Sequence, residues 1–148
     1  MNGLILKINA KKNSNEMFME KLSSKSLMLG DWVLCDGEPY QVAEISAGLL
    51  CIDAERELFA TPEDLQPIPL TPEILEKNGF DISDGDVMQY DFIEDGQKYH
   101  FTLRQMYNKQ GERDGFSFFA FNVLTLILSI HELQHALRLC GIEKEIII

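Results

Sequence analysis

Two alternating runs on either side of Asp95-Gly96 constrain the fold of this chain more than any other feature. The stretch "DVMQYDFIEDGQKYHFTLRQMY" covers residues 86–107. Its large apolar side chains recur at every second position, as Tyr90 and Phe92 before the pair and Tyr99, Phe101 and Leu103 after it. Such alternation is typical of strands with one buried face, and Asp-Gly suits a tight turn that needs positive φ angles. We therefore predict an antiparallel hairpin that begins a meander over residues 86–121.

The longest apolar run, "FSFFAFNVLTLILSI", occupies residues 116–130, after a predicted exposed loop over residues 108–115. It contains Ser, Asn and Thr and falls short of the ~20 apolar residues that span a bilayer. No membrane segment is expected. The run predicts a nearly continuous strand in the middle of the sheet, followed by a helix that packs on that sheet.

Short strands and tight turns are the pattern of residues 27–70. "LGDWVLCDG" alternates, "DGEP" and Ala47-Gly48 favour turns, and "LLCIDA" and "RELFA" supply further short strands. Thr61 and Pro62 then begin a single helical turn. The pattern favours an SH3-like small barrel.

A helix is predicted over residues 71–80, "TPEILEKNGF", with Thr71 as its cap, Pro72 in its first position and Gly79 in a left-handed stop. The expected fold class is α+β, in which an SH3-like small β-barrel precedes an antiparallel meander with a packed C-terminal helix. The expected parts are an N-terminal arm over residues 1–26, the barrel over 27–70, and the α+β part over 71–148.

The acidic balance of the chain argues against nucleic acid as a partner. Its net charge is -11 and its pI is about 4.6, whereas nucleic-acid binding depends on clustered Lys and Arg. The three cysteines, Cys35, Cys51 and Cys140, are far apart and odd in number, which fits free thiols in a reducing compartment. The N-terminus lacks the pattern of a secretory signal. We expect a cytoplasmic protein that binds neither nucleic acid nor membrane.

The pentapeptide His131-Glu132-Leu133-Gln134-His135 matches H-E-x-x-H, the signature of zinc peptidases. On a helix, His131 and His135 share a face and could hold one zinc ion, while Glu132 could act as general base. A catalytic zinc needs a third protein ligand, and the remaining histidine, His100, lies on a predicted strand. This interpretation makes the protein a zinc-dependent hydrolase.

The same pentapeptide also has a structural explanation. Ser129 and Glu132 have the spacing of a capping box, Leu128 and Leu133 that of a hydrophobic staple, and Gly141-Ile142 that of a helix stop. A glutamate engaged in capping is a poor general base. We favour this interpretation, which predicts no catalytic residue, no cofactor and no metal.

Three aromatic residues of the predicted barrel, Trp32, Tyr40 and Phe59, could line a groove for a peptide. Aromatic side chains at strand spacing are more often part of a core. The acidic loop "DISDGD" at residues 81–86 lacks the spacing of a calcium-binding loop and is interpreted as solvated.

Three segments together resemble a protein family. "LGDWVLCDGEPYQVAEI" at 29–45, "PIPLTPEILEKNGF" at 67–80 and "IHELQHALRLCGI" at 130–142 occur in the order found in a family of Bacteroidetes proteins from prophage or mobile-element neighbourhoods. The resemblance covers roughly residues 27–146. The final motif of the family, hydrophobic-His-x-Leu-Gln, corresponds to Ile130, His131, Leu133 and Gln134 and does not require a second histidine at 135.

The resemblance implies a helix-packing role for the final motif and a cytoplasmic accessory protein of a mobile element. No activity is established for the family. We therefore expect a non-enzymatic protein-interaction module that binds a protein partner or associates with itself. A zinc-dependent hydrolase is the alternative.

Overall fold

The computed structural model describes residues 22, 26–120 and 122–148. The chain divides into two compact units at the step from Ile68 to Pro69. The paired strands are antiparallel, and among the described residues a C-terminal helix follows the last strand. The expected α+β class is confirmed. The arm predicted for residues 1–26 lies outside the described residues, apart from Leu22 and Ser26.

The described residues of the first unit form two three-stranded sheets. One has the order β2-β1-β6 and the other β3-β4-β5. The strands are β1 (Trp32–Cys35), β2 (Glu38–Gln41), β3 (Glu44–Ser46), β4 (Leu49–Asp53), β5 (Leu58–Ala60) and β6 (Leu65–Pro67). A 3-10 turn, Pro62–Asp64, separates the last two strands, at the place where a helical turn was predicted.

Turn chemistry explains the hairpins of this unit. Asp36 and Gly37 both have positive φ angles, as do Ala47 and Gly48, so the turns predicted at both places are confirmed. Between β2 and β3 the chain passes from one sheet to the other. Here the Val42 amide donates to Asp31 O (2.9 Å) and the Ala43 amide donates to Cys51 O (2.7 Å).

A shared core lies in the first unit. Its buried members are Leu27, Val33, Cys35, Val42, Leu50, Ile52, Ala60 and Leu65. Within the described part of the unit the strands form two open sheets and no closed barrel, because β5 and β6, separated by the 3-10 turn, pair in different sheets. The coarse β-rich prediction is therefore confirmed, and the barrel is not.

The second unit is built around one antiparallel sheet of order β10-β9-β8-β7. Its elements are α1 (Pro72–Lys77), β7 (Val87–Glu94), β8 (Gln97–Tyr107), β9 (Arg113–Ala120), β10 (Val123–Ile127) and α2 (Ile130–Leu139). The predicted hairpin is confirmed, since Glu94 pairs with Gln97 and the two turn residues between them, Asp95 and Gly96, both have positive φ.

The apolar run at 116–130 differs from its prediction as a single central strand. It folds back on itself as a hairpin, in which Ala120 pairs with Val123 and Asn122 has φ +64°. Asparagine tolerates the left-handed conformation that such a turn needs. As a result β10 lies at an edge of the sheet rather than in its middle.

The helix predicted at 71–80 is confirmed, with both of its expected ends, and its helical residues are Pro72–Lys77. The Ile74 amide donates to Thr71 Oγ1 (3.3 Å), and Phe80 N donates to Leu75 O (3.0 Å) across Gly79, which has φ +86°. These bonds form the expected cap and left-handed stop. The stop places the Phe80 ring 6.1 Å from that of Phe101, on the buried face of the sheet.

A β-bulge on β9 sets the local direction of that strand. Gln105 pairs with Phe116 and Tyr107 pairs with Arg113. Between these two pairs β9 advances by three residues and β8 by only two, so β9 contains one extra residue. Gly115 lies in the bulge with φ +78°, and its carbonyl accepts from Gln105 Nε2 (2.9 Å). A glycine with positive φ is characteristic of one common bulge type.

Candidate functional site

The sheet of the second unit has one buried and one exposed face. Met88, Phe101, Leu103, Phe116, Phe118 and Ile127 are buried on the first face. Side chains alternate along each strand, so the residues between these lie on the opposite, outer face. On β9 and β10 that outer face carries Phe119, Leu124 and Leu126, which are 66%, 68% and 50% exposed. We call these three residues the outer apolar patch.

Pairing across the two strands makes the patch contiguous. Phe119 is directly opposite Leu124, and Leu126 is opposite Ser117. Residues directly opposite in an antiparallel pair have their Cβ atoms about 5 Å apart. Large apolar side chains that adjoin one another on an exposed face are typical of interaction sites, whereas scattered ones are normal.

The patch lies beside an open strand edge. Within the described part of the chain, β9 is the sole strand partner of β10. Just beyond the C-terminal end of β10 the edge is occupied by the segment at Pro69 and Leu70. Here Leu70 N donates to Leu128 O (3.0 Å) and Pro69 pairs with Ser129. Edge strands are commonly protected by charges, prolines or bulges, and Val123–Ile127 contains no charge and no proline.

The distribution of charge sets the patch apart from the rest of the surface. Residues 116–130 form fifteen consecutive positions without a charged side chain, in a chain of net charge -11. Across from Ser117, on the same outer face, lies Arg104. The acidic groups of this sheet are Asp91 and Glu94 on its other edge strand, β7, and Asp114 at the start of β9, before the uncharged run.

A polar cluster occupies the outer face at the β7 end. The Asp91 carboxylate contacts His100 Nδ1 (2.5 Å), accepts from Gln89 Nε2 (2.9 Å) and pairs with Lys98 Nζ (3.1 Å). These contacts hold the pKa of Asp91 well below its usual range, and the hydrogen bond with His100 makes the largest contribution. All four side chains are solvent-accessible, so the cluster is a solvated ion-pair network.

The HELQH pentapeptide lies in the first turns of α2, which begins at Ile130 with Ser129 as the N-cap. The Ser129 hydroxyl donates to Glu132 Oε1 (2.7 Å) and accepts from the Glu132 amide (3.4 Å). The other contact of that carboxylate oxygen is the Leu128 amide (3.3 Å). The capping interaction is therefore present, although Glu132 reaches the amide of Leu128 rather than the predicted amide of Ser129. At the far end Ile142 N donates to Leu137 O (2.9 Å), which is the predicted stop.

His131 belongs to the same network. Its Nδ1 lies 3.0 Å from the Ser129 hydroxyl oxygen, whose single proton is directed at Glu132. Nδ1 therefore carries a proton and donates it to that oxygen. The ring is buried, and its centroid lies 5.6 Å from that of His135 in an edge-to-face arrangement.

The two histidines thus share a helix face, as their spacing predicts, while Glu132 is engaged in capping. His100, considered as a third ligand, bonds to Asp91 on the outer face of the sheet. Among residues 22, 26–120 and 122–148, no three His, Cys, Asp or Glu side chains are grouped so as to hold a metal ion.

The three aromatic residues proposed for a groove do not share one face. Tyr40 pairs with Val33 on the core side and packs against the core of the first unit. Trp32 precedes Val33 on β1 and so lies on the opposite face of that sheet. Phe59 belongs to the other sheet, is exposed, and pairs with Cys51.

The outer apolar patch is the feature that sequence reasoning missed. Two signals could have found it. A run of fifteen residues exceeds the usual length of a strand, so it must turn, and Asn122 is the one residue within it that favours a left-handed turn. A hairpin placed at the end of the meander would then put Leu124 and Leu126 on an edge strand.

Comparison of the chain with protein-family models, with curated proteins and with solved structures gives no match. Among the described residues, no helix is both long enough and apolar enough to cross a membrane.

Proposed function

We propose that this protein is a non-enzymatic interaction module that binds a protein through the outer apolar patch and the adjoining edge of β10. The observation that carries the proposal is the exposure of Phe119, Leu124 and Leu126 beside an unprotected strand edge. Addition of a strand to such an edge is a common mode of protein recognition. Main-chain hydrogen bonds supply affinity and the flanking side chains supply specificity.

A separate part of the proposal concerns the first unit, which we propose is SH3-like. Its short antiparallel strands and the passage of the chain from one sheet to the other at Val42–Ala43 support that arrangement. SH3-like units commonly serve as binding modules. The resemblance described above adds a cytoplasmic accessory protein of a mobile element as the setting. The acidic surface disfavours nucleic acid as a partner.

A zinc-dependent hydrolase remains the second candidate because the rings of His131 and His135 lie side by side on α2. We place it second since the carboxylate that would activate water is hydrogen-bonded to Ser129 and Leu128. Catalysis would need that carboxylate to leave its cap and a third ligand to approach.

Site-specific photo-crosslinking tests the interaction proposal. A benzophenone amino acid replaces Phe119 in the full chain, and the protein is irradiated in cells that naturally encode it. The matched control carries the same group at Ile93, which is 77% exposed on the same outer face but on the opposite edge strand. We expect a protein adduct at position 119 that is absent at position 93. Equal or absent labelling at both positions would overturn the proposal.

A further inference from the structure

The unpaired edge of β10 is short, and another segment of the chain occupies the edge beyond its C-terminal end. The strand has five residues, Val123–Ile127, and the pairing of Pro69 with Ser129 ends the edge just beyond it. A long added strand would meet the Pro69 segment. The edge therefore fits a partner strand of about the same length.

We propose that this partner is a second copy of the chain, whose β10 pairs antiparallel with the first across a two-fold axis at Thr125. The inference rests on the proposed function, because it names the occupant of the same surface. The two four-stranded sheets would join into one continuous sheet. A two-fold contact of this kind is self-complementary, since each copy offers the same strand to the other.

The pairing register about Thr125 follows from the alternation of side chains between the two faces of the sheet. Residues opposite each other in an antiparallel pair project on the same face, so a two-fold axis through Thr125 sets Leu124 opposite Leu126 of the second copy. Phe119 already pairs with Leu124 within each chain. The outer face at the junction would then hold four leucines in the centre and one phenylalanine on either side.

Charge also favours a second copy over a strongly charged partner. Copies of net charge -11 repel each other, but residues 116–130 carry no charge, and the acidic groups of the sheet lie outside that stretch, on β7 and, as Asp114, at the start of β9. Screening over about 8 Å at physiological salt weakens repulsion between more distant groups. A charged peptide, by contrast, would find no opposite charge within this stretch. The uncharged strand best suited to the edge is β10 itself.

The size of the contact predicts weak association. Two five-residue strands, with Leu124, Leu126 and the neighbouring Phe119 of each copy on the outer face, make an interface smaller than the ~1,200 Å² of a standard stable complex. We therefore expect a reversible dimer with a dissociation constant of micromolar order rather than a permanent one.

Sedimentation velocity with two complementary variants of the full chain tests the inference. Leu124→Lys and Leu126→Glu both change exposed side chains, and circular dichroism verifies that each variant is folded. Wild type should shift from monomer to dimer with rising concentration. Each variant alone should dimerise at least ~10-fold more weakly, because a charged side chain then lies opposite leucine and replaces an apolar cross-strand contact at the junction. An equimolar mixture should recover dimer, since Lys at 124 then faces Glu at 126.

The control is Ile93→Lys, which adds the same charge to the outer face at β7 and should dimerise like wild type. The inference is overturned if wild type stays monomeric to millimolar concentration, or if it dimerises and neither variant weakens the dimer. A folded pair of variants whose mixture fails to recover dimer overturns the register at Thr125. A monomer that still crosslinks another protein from position 119 refutes the second copy while the proposed function stands.

Discussion

At the scale of single residues, the Ser129 hydroxyl organises the start of α2. It is fully buried and uses both of its acceptor sites and its one proton, on Glu132 N, His131 Nδ1 and Glu132 Oε1. Removing such a group leaves buried polar atoms without partners, which costs more than the hydrogen bonds alone contribute.

Ser129→Ala should therefore lower the free energy of unfolding by about 1–2 kcal/mol, as measured by urea denaturation. Glu132→Gln should cost less, because the amide oxygen of Gln can still accept from the hydroxyl and from Leu128 N. A hydrolase would behave differently, since Glu132→Gln would abolish activity. An unchanged stability of Ser129→Ala would show that the cap contributes little.

The Asp91 carboxylate supports a second prediction at this scale. Its pKa is lowered chiefly by His100 and further by Gln89 and Lys98. A carboxyl group with a lowered pKa in the folded state stabilises the protein above its unfolded pKa of about 3.9, and that stabilisation is lost as the pH falls through the folded pKa. His100→Leu should raise the pKa of Asp91 toward its ordinary value, as followed by NMR titration of the carboxyl carbon. An unchanged titration of Asp91 in that variant would contradict the assigned cause.

At the scale of elements, the bulge at Gly115 shapes the β9–β10 hairpin. A Cβ atom at this position would lie 3.1 Å from Ile127 O and would collide with Leu128 Cδ2. The glycine thus allows β10 and the start of α2 to approach the bulge.

Gly115→Ala should lower the free energy of unfolding by roughly 2–4 kcal/mol, which combines left-handed backbone strain with steric overlap. Gly111→Ala is the matched control. It has nearly the same φ, +79° against +78°, but no atom within 4 Å of the added carbon. It should cost only about 1 kcal/mol. Equal losses in the two variants would show that the contact with Leu128 is unimportant.

Elements with local signals were predictable from the sequence, and their arrangement was less so. Asp95-Gly96, the cap at Thr71 and the stop at Gly141 are fixed by neighbouring residues, and all three form as expected. The run at 116–130 contains no glycine or proline, so its turn at Asn122 was hidden by apolar residues on both sides. Whether the first unit closes as a barrel depends on pairing between distant strands, which alternation does not specify.

At the scale of the whole molecule, a chain of net charge -11 exposes the uncharged run at residues 116–130 along one edge of a sheet. In the HELQH segment, Glu132 is engaged in helix capping. Elemental mass spectrometry of tag-free protein should accordingly give well below one zinc per chain, and His135→Ala should not change that content. Near-stoichiometric zinc that is lost in the variant would instead support the hydrolase.

Amide hydrogen exchange of dilute protein, measured by NMR, reports whether the edge of β10 is open. In an antiparallel edge strand, alternate amides bond to the neighbouring strand and the others face solvent. Within Val123–Ile127 we predict one alternate set of protected amides and one set that exchanges rapidly. Uniform protection of all five amides in the monomer would show that β10 is covered on both sides and is not an open edge.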